Sequence, residues 1–444
     1  MWYNELPETN GVHPSQSKLF LSDRAVQDQA PQLAKSKPVF NAGHRTTSIE
    51  RAMAKMRHIR LTAAILIGLA QTTQAQMEMD SPLPDFNPER MVRFESVSQA
   101  ERRRESLQKY IWPEGLPSTR PKVSNVMQPS ELEKVSADLI DHVDRFEITV
   151  GPFDFEAIAF RVVPQAMRQP AIRVMVHHGH VPDGADHYLD AGVKETIEFL
   201  LQHGCEVTVM QMPLVGWNGD STGIFPDQTP FELSQRGTAG HQEMFTQLEP
   251  HLERQTFRFF LEPILQVVNE LTAVSDAEER LVMIGLSGGG WATHMAAAID
   301  VRIDDSVPVA GAMPLYARAY SPGSKGDTEQ YHEPLYREVD RDGDGIPETA
   351  AGVASWLEIF ALGAMSQKQP RRQIQVLNFY DSCCFSGDIY RTYDTFLEDR
   401  IQQLGTGSWS LFVDRTHRDH LISVETLEKV VKPLISAAST SEDR

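Results

Sequence analysis

The chain has 444 residues, 41% hydrophobic and 23% charged, which is enough apolar material for a large globular core. Asp and Glu outnumber Lys and Arg by 61 to 42, and the net charge of −19 argues against nucleic acid or an anionic membrane surface as a partner. Three cysteines, Cys205, Cys383 and Cys384, make no disulfide framework and show no structural-zinc spacing.

In chain order, residues 1–55 are polar and poorly patterned. Met56-Arg57-His58-Ile59-Arg60, the apolar run Leu61 to Ala70 and the small-residue step Thr73-Gln74-Ala75 then follow the order of a secretory signal peptide. Its apolar part is too short to cross a bilayer, which takes roughly 20 residues. The expectation is that 1–55 is a non-native extension ahead of a start at Met53 or Met56, that 56–75 is a signal peptide, and that the protein is exported, periplasmic or extracellular. A buried helix in an unusual N-terminal domain is the other reading.

Residues 76–128 form a proline-rich, polar arm with one helix over Gln99–Tyr110, on which Arg102, Arg103 and Arg104 read as a solvated face. Residues 129–437 carry the main domain, and 438–444 are a polar tail. Arg145 to Val163 alternates around Gly151-Pro152, an opening antiparallel hairpin. Strand Ile172–Val176 ends in His177-His178-Gly179-His180. A helix over Asp186–His203 and a strand over Cys205–Met212 follow. Leu214–Gly240 reads as a long polar loop, and the stretch from Thr246 to Leu271 as one helix kinked near Pro263. Further strands are expected at Leu281–Ile284, Ser306–Ala312, Ile374–Tyr380 and Ser408–Val413, with helices over Ile389–Leu404 and His420–Ala437. Repeated strand–helix units imply a parallel sheet covered on both faces.

The segment 315–370 breaks this rhythm between the sixth and seventh strands and reads as a lid insert. It holds Asp340-Arg341-Asp342-Gly343-Asp344, with Glu348 further on. Carboxylates two residues apart around a glycine match the start of a calcium loop, with Asp340, Asp342, Asp344 and Glu348 as ligands. Ala351 stands where an EF-hand has its bidentate glutamate. An acidic turn that binds nothing is the equal alternative.

Gly285-Leu286-Ser287-Gly288-Gly289 follows an apolar run and opens a helical stretch at Gly290-Trp291-Ala292. Strand, G-x-S-x-G, helix is the context of a nucleophile elbow, whose sharp turn excludes side chains beside the serine. Asp381 follows the strand Ile374–Tyr380, and His417 and His420 follow Ser408–Val413. Asp388 is the alternative acid, although it also suits a helix N-cap. His420, just before the last helix, is preferred as base over His417, which would line the approach. Consecutive His177 and His178 face opposite ways on a strand end and cannot easily share an ion. His294 reads as a satisfied core residue and Cys205 as a core thiol. Cys383-Cys384 is either a vicinal disulfide or two packed thiols.

From about Asp144 to Ile435 this order of serine, acid and histidine, each after a strand, resembles the α/β-hydrolases. The resemblance implies an α/β fold with a mostly parallel central sheet, helices on both faces and a Ser287–His420–Asp381 triad. It also implies an oxyanion hole from Gly288 N–H and the loop at His180, which resembles the family's HG loop, and a small-molecule or carbohydrate ester as substrate, with no cofactor required for catalysis. A peptidase of the prolyl-oligopeptidase type shares fold and triad, but no propeller-like repeats precede the domain. A binding protein on a hydrolase scaffold is the third reading.

Overall fold

Where apolar runs are unbroken, the strands are buried on both faces; where they alternate, the strands are near the edge. In the computed structural model, which describes residues 83–169, 171–181, 187–252, 255–273, 279–321, 326–341 and 349–437, β1 (Ile140–Val150) and β2 (Phe155–Pro164) alternate. By contrast β3 (Ile172–His178) and β4 (Glu206–Gln211) are buried at every residue. β5 (Arg280–Leu286), β6 (Asp305–Val309), β7 (Arg371–Asn378) and β8 (Gly407–Asp414) complete the core of the sheet. The expected extension, signal peptide and polar tail, together with Asp342, Asp344 and Glu348 of the acidic loop, lie outside the described residues.

The sheet has nine strands in the order Lys122–Val126, β1, β2, β4, β3, β5, β6, β7, β8. The first three pair antiparallel with their neighbours, and β2 also runs antiparallel to β4; from β4 across to β8 all pairs are parallel. This is the sheet of an α/β-hydrolase. The chain moves outward from β3 to β4 and then returns past β3 to β5, so the topological switch falls between the carboxyl ends of β3 and β5, the usual ligand crevice of such sheets. One apolar layer packs α1 (Val97–Ile111), α3 (Arg258–Ala273), α4 (Gly288–Ile299), α5 (Trp356–Ala364) and α6 (Asp394–Leu404) on one face. On the other face α2 (Val193–Gln202) and the final helical segment from Val424 cover the sheet. Among the described residues no helix is long and apolar enough to cross a membrane.

Several expectations need correcting. Of the arm's arginines only Arg102 is exposed as expected; Arg104 is buried and donates to the carbonyls of Ala298, Leu362 (3.1 Å) and Met365 (2.6 Å). It is joined there by buried Arg371, whose Nη2 reaches Ala297 O at 2.8 Å. Two guanidinium groups thus satisfy carbonyls at the C-terminal ends of α4 and α5, which no intrahelical donor can reach. Burial lowers Arg371 to about 9.

The second expected helix begins only at Val193, because Gly192 has φ 82 and cannot continue a right-handed turn. Pro263 lies inside α3, and the chain breaks before Arg258 instead of at the proline. Leu214–Gly240 is no open polar loop: Leu214 and Val215 are buried, Thr222–Ile224 pairs with Pro230–Glu232, and a helix starts at Gly237. The last helix begins at Val424, with Ser423 as its cap accepting from Thr426 N, so His420 stands in a loop three residues before that cap. The expected helix from Ile389 is a short 3-10 turn, Ile389–Thr392, followed by α6.

Candidate functional site

Ser287 has φ 59 and ψ −122, a backbone region that side-chain-bearing residues rarely enter. The turn is held by Ser287 N donating to Val309 O at 2.9 Å and by Trp291 N donating to Ser287 O at 2.9 Å, which starts α4. Register pairs Gly285 with His177 on β3, so the loop after β3 lies beside the serine. A Cβ on Gly179 would stand 2.6 Å from Gly288 N and 2.9 Å from Ser287 Cβ. One on Gly289 would stand 2.0 Å from His177 O. Glycine is required at both places by close backbone approach. The backbone at Gly179 thereby lies close to Gly288 N and to the Ser287 side chain. Met212 closes that side, since its Sδ lies where a Cβ on Gly288 would fall.

β7 and β8 end in register, Asn378 opposite Asp414, and the loops that leave them meet. His420 Nδ1 lies 2.8 Å from Asp381 Oδ2. Asp381 Oδ1 accepts from the backbone N–H of Cys383 (2.7 Å) and Cys384 (3.1 Å). Asn378 Nδ2 donates to Leu421 O at 3.0 Å and lies 3.4 Å from Asp381 Oδ2, linking the two loops. The carboxylate is therefore buried with both oxygens hydrogen-bonded, Oδ2 to the His420 ring. His420 Nε2 is buried with no hydrogen-bond partner. An imidazole fixed at Nδ1 by a carboxylate, with Nε2 bare, can accept a proton there. Cys383 and Cys384 are joined as a vicinal disulfide, and Cys205 is a free, buried thiol.

The alternatives lie elsewhere. His417 Nε2 is 3.3 Å from Asp414 Oδ2, away from Asp381. Asp414 is itself held by Thr416 N (2.8 Å) and by the Ser423 hydroxyl. His417 faces a cleft of about 660 Å³ lined by Leu189, Asp190, Leu421 and Ile422, a wall that includes none of Ser287, Asp381 or His420. Asp388 sits at the N-cap of its 3-10 turn without a side-chain cap bond and pairs with Arg391 at 3.8 Å. His294 is buried in the core with Nδ1 2.9 Å from Gln373 Oε1, and burial pushes it down to about 3. His177 and His178 are both buried and are pushed down to about 4 and about 3 by the same cause.

A second cluster lies beside the Ser287 turn, at His180. His180 Nε2 lies 2.9 Å from Nδ1 of fully buried His241, a residue of the Gly237–Glu243 helix. The other partners come from the 315–370 segment: Asp327 Oδ2 lies 3.2 Å from His180 Nδ1, and buried Glu329 lies 3.6 Å from His241. Burial, reinforced by Glu329, pushes the Asp327 carboxyl up to about 6. These contacts join residues far apart in the chain, and no spacing motif announces them.

No protein-family model matches the chain, and no curated protein does. Among solved structures the chain is similar to an acetyl xylan esterase from Paenibacillus sp. R4, at 12% identity and a TM-score of 0.46 over 82% of this chain and 98% of that one. It is also similar to a carbohydrate esterase family 15 glucuronoyl esterase from Caldicellulosiruptor kristjansonii, at 15% identity and 0.46 over 80% and 91%. An acylaminoacyl peptidase from Pyrococcus horikoshii aligns at 14% identity and 0.38 over 66% and 39%. Likeness of this degree says nothing of substrate; the chemistry must come from the site itself.

Proposed function

We propose that this chain, an α/β-hydrolase by fold, is an exported serine hydrolase that cleaves a carboxylic ester of a carbohydrate or small acyl compound. The observation that carries the reading is the His420–Asp381 pair with its buried, bare Nε2, in a chain whose Ser287 stands on a strained strand-to-helix turn. Ser287 Oγ attacks the acyl carbonyl and gives its proton to His420 Nε2. The oxyanion so formed is met by the Gly288 N–H and the backbone N–H of the loop at His180. Collapse breaks the bond to the leaving alkoxide, which takes the proton from Nε2 and leaves an acyl group on Ser287. Water then repeats the sequence, losing its proton to Nε2, and frees the acid. Asp381 keeps the His420 proton on Nδ1 and stabilises the imidazolium. All bond-making groups belong to the chain, so ester cleavage by this route calls for no cofactor.

Export rests on the sequence of residues 56–75, and a role for the 315–370 segment over the pocket rests on Asp327 and Glu329 reaching His180. The test is hydrolysis of p-nitrophenyl acetate, butyrate and octanoate by wild type and by His420→Ala. Turnover of at least one ester, cut about 10⁴-fold in the variant, is expected. Equal rates in both proteins would overturn the reading.

A further inference from the structure

We infer that His180, His241 and Glu329 form a binding site for a single divalent transition-metal ion of the zinc type. The three ligands come from three different loops above the carboxyl ends of the sheet: the loop after β3, the helix after β4 and the segment after β6. Their donor atoms all lie within 4.8 Å of one another. The closest separations are 2.9 Å for His180 Nε2 to His241 Nδ1, 3.6 Å for His241 Nδ1 to Glu329 Oε2 and 3.9 Å for His180 Nε2 to Glu329 Oε1. Ligands ~2.0–2.1 Å from a tetrahedral ion stand roughly 3.3 Å apart, so small side-chain shifts bring these atoms onto one centre.

The tautomers point the same way. His241 Nε2 lies 2.8 Å from Pro213 O, a carbonyl that can only accept, so the proton of that ring is on Nε2 and Nδ1 presents a lone pair. His180 Nδ1 faces Asp327 Oδ2 at 3.2 Å, which favours its proton there and a lone pair on Nε2. Two lone pairs then meet at 2.9 Å. The second observation is Glu329, wholly buried, with neither carboxylate oxygen hydrogen-bonded. A buried carboxylate without donors is costly to leave so, and a cation between it and the two rings satisfies every one of these atoms. Pro213 O and Asp327 then act as the outer partners that orient metal-binding histidines. Two imidazoles and one carboxylate suit zinc over calcium or magnesium, which prefer oxygen donors alone. Such an ion would tie the loop at His180, and with it one side of the proposed oxyanion position, to the Gly237–Glu243 helix and the 315–370 segment. The site stands whether or not Ser287 is the nucleophile.

The experiment uses the full chain, stripped with a chelator and titrated with Zn²⁺ against a chromogenic competitor, with bound metal counted by mass spectrometry. Wild type and His142→Gln, which removes a half-buried histidine outside the cluster, should each hold one equivalent. The near-isosteric Glu329→Gln and the larger change His241→Gln should fall to background, and Zn²⁺ should raise Tm in wild type and His142→Gln but in neither of these two. Because His241 is buried and its replacement also tests folding, Co²⁺ loading of wild type gives a readout without substitution. Intense visible bands of a four- or five-coordinate ion are expected. No zinc retained by wild type, zinc retained undiminished by Glu329→Gln, or only the weak spectrum of six-coordinate Co²⁺ would overturn the site and leave a shared proton between the two rings.

Discussion

Replacing Asp381 with asparagine separates position from charge at the acid. Both oxygens of the carboxylate are committed: Oδ1 to the N–H groups of Cys383 and Cys384 at 2.7 and 3.1 Å, and Oδ2 to His420 Nδ1 at 2.8 Å. An amide has one accepting oxygen. The two backbone donors are fixed, so that oxygen stays with them and the NH₂ turns to His420. His420 must then accept at Nδ1 and carry its proton on Nε2, the tautomer that cannot take a proton from Ser287. The expected loss in kcat is about 10⁴-fold, equivalent to about 5.5 kcal/mol of transition-state stabilisation. The same NH₂ would face the Asn378 amide donor, now 3.4 Å from Oδ2, so unfolding should become easier by about 1–3 kcal/mol. Steady-state turnover of p-nitrophenyl acetate, with a urea melt on the same sample, measures both. Asp388→Asn disturbs only a 3.8 Å contact with Arg391 and should keep near-normal turnover. A fully active Asp381→Asn, or a dead Asp388→Asn that remains folded, would refute the assignment.

Ser287→Gly should abolish turnover yet raise the urea midpoint. Relief of about 1–3 kcal/mol of backbone strain at φ 59, ψ −122 outweighs about 0.5–1 kcal/mol of added freedom in the unfolded chain, and an unchanged or lower midpoint would deny the strain. Gly289→Ala places a Cβ 2.0 Å from His177 O and should cost about 3 kcal/mol or more, seen as insoluble or low-melting protein; a normal melt would contradict the packing of the turn. His294, ordinarily near 6.5 and held at about 3 by burial, is protonated more readily when unfolded. Its contribution is full above pH 6.5 and is lost as pH falls toward 3, by about 1.4 kcal/mol per pH unit. His294→Gln should therefore flatten the stability-versus-pH curve in that window, and an unchanged slope would show that the ring is not buried neutral.

Much of the frame was legible because it is local. An apolar run ending in Gly285-Leu286-Ser287-Gly288-Gly289 admits few conformations, and Asp381 and His420 each follow a strand whose pattern is plain. The structure brings that aspartate and histidine together. What the sequence hid depends on distance in the chain. Arg104 looks like one of three surface arginines, and only the docking of the arm against the ends of α4 and α5 makes it a buried donor. His241 sits just past the stretch that reads as a polar loop, and Glu329 in an insert with no periodicity, so their meeting with His180 has no local signature. His417 and His420 both follow β8, and the sequence favours His420 only by its place just before the last helix. The difference is a carboxylate, Asp414, that reads simply as the last residue of a strand.

The central claim is that Ser287 is the nucleophile. Incubation with a fluorophosphonate probe, followed by peptide mass spectrometry, tests it most directly. One adduct on the peptide carrying Ser287 is expected in wild type, with none in a folded Ser287→Ala variant. Full labelling of that variant, or an adduct on any other residue of the wild-type chain, would contradict it.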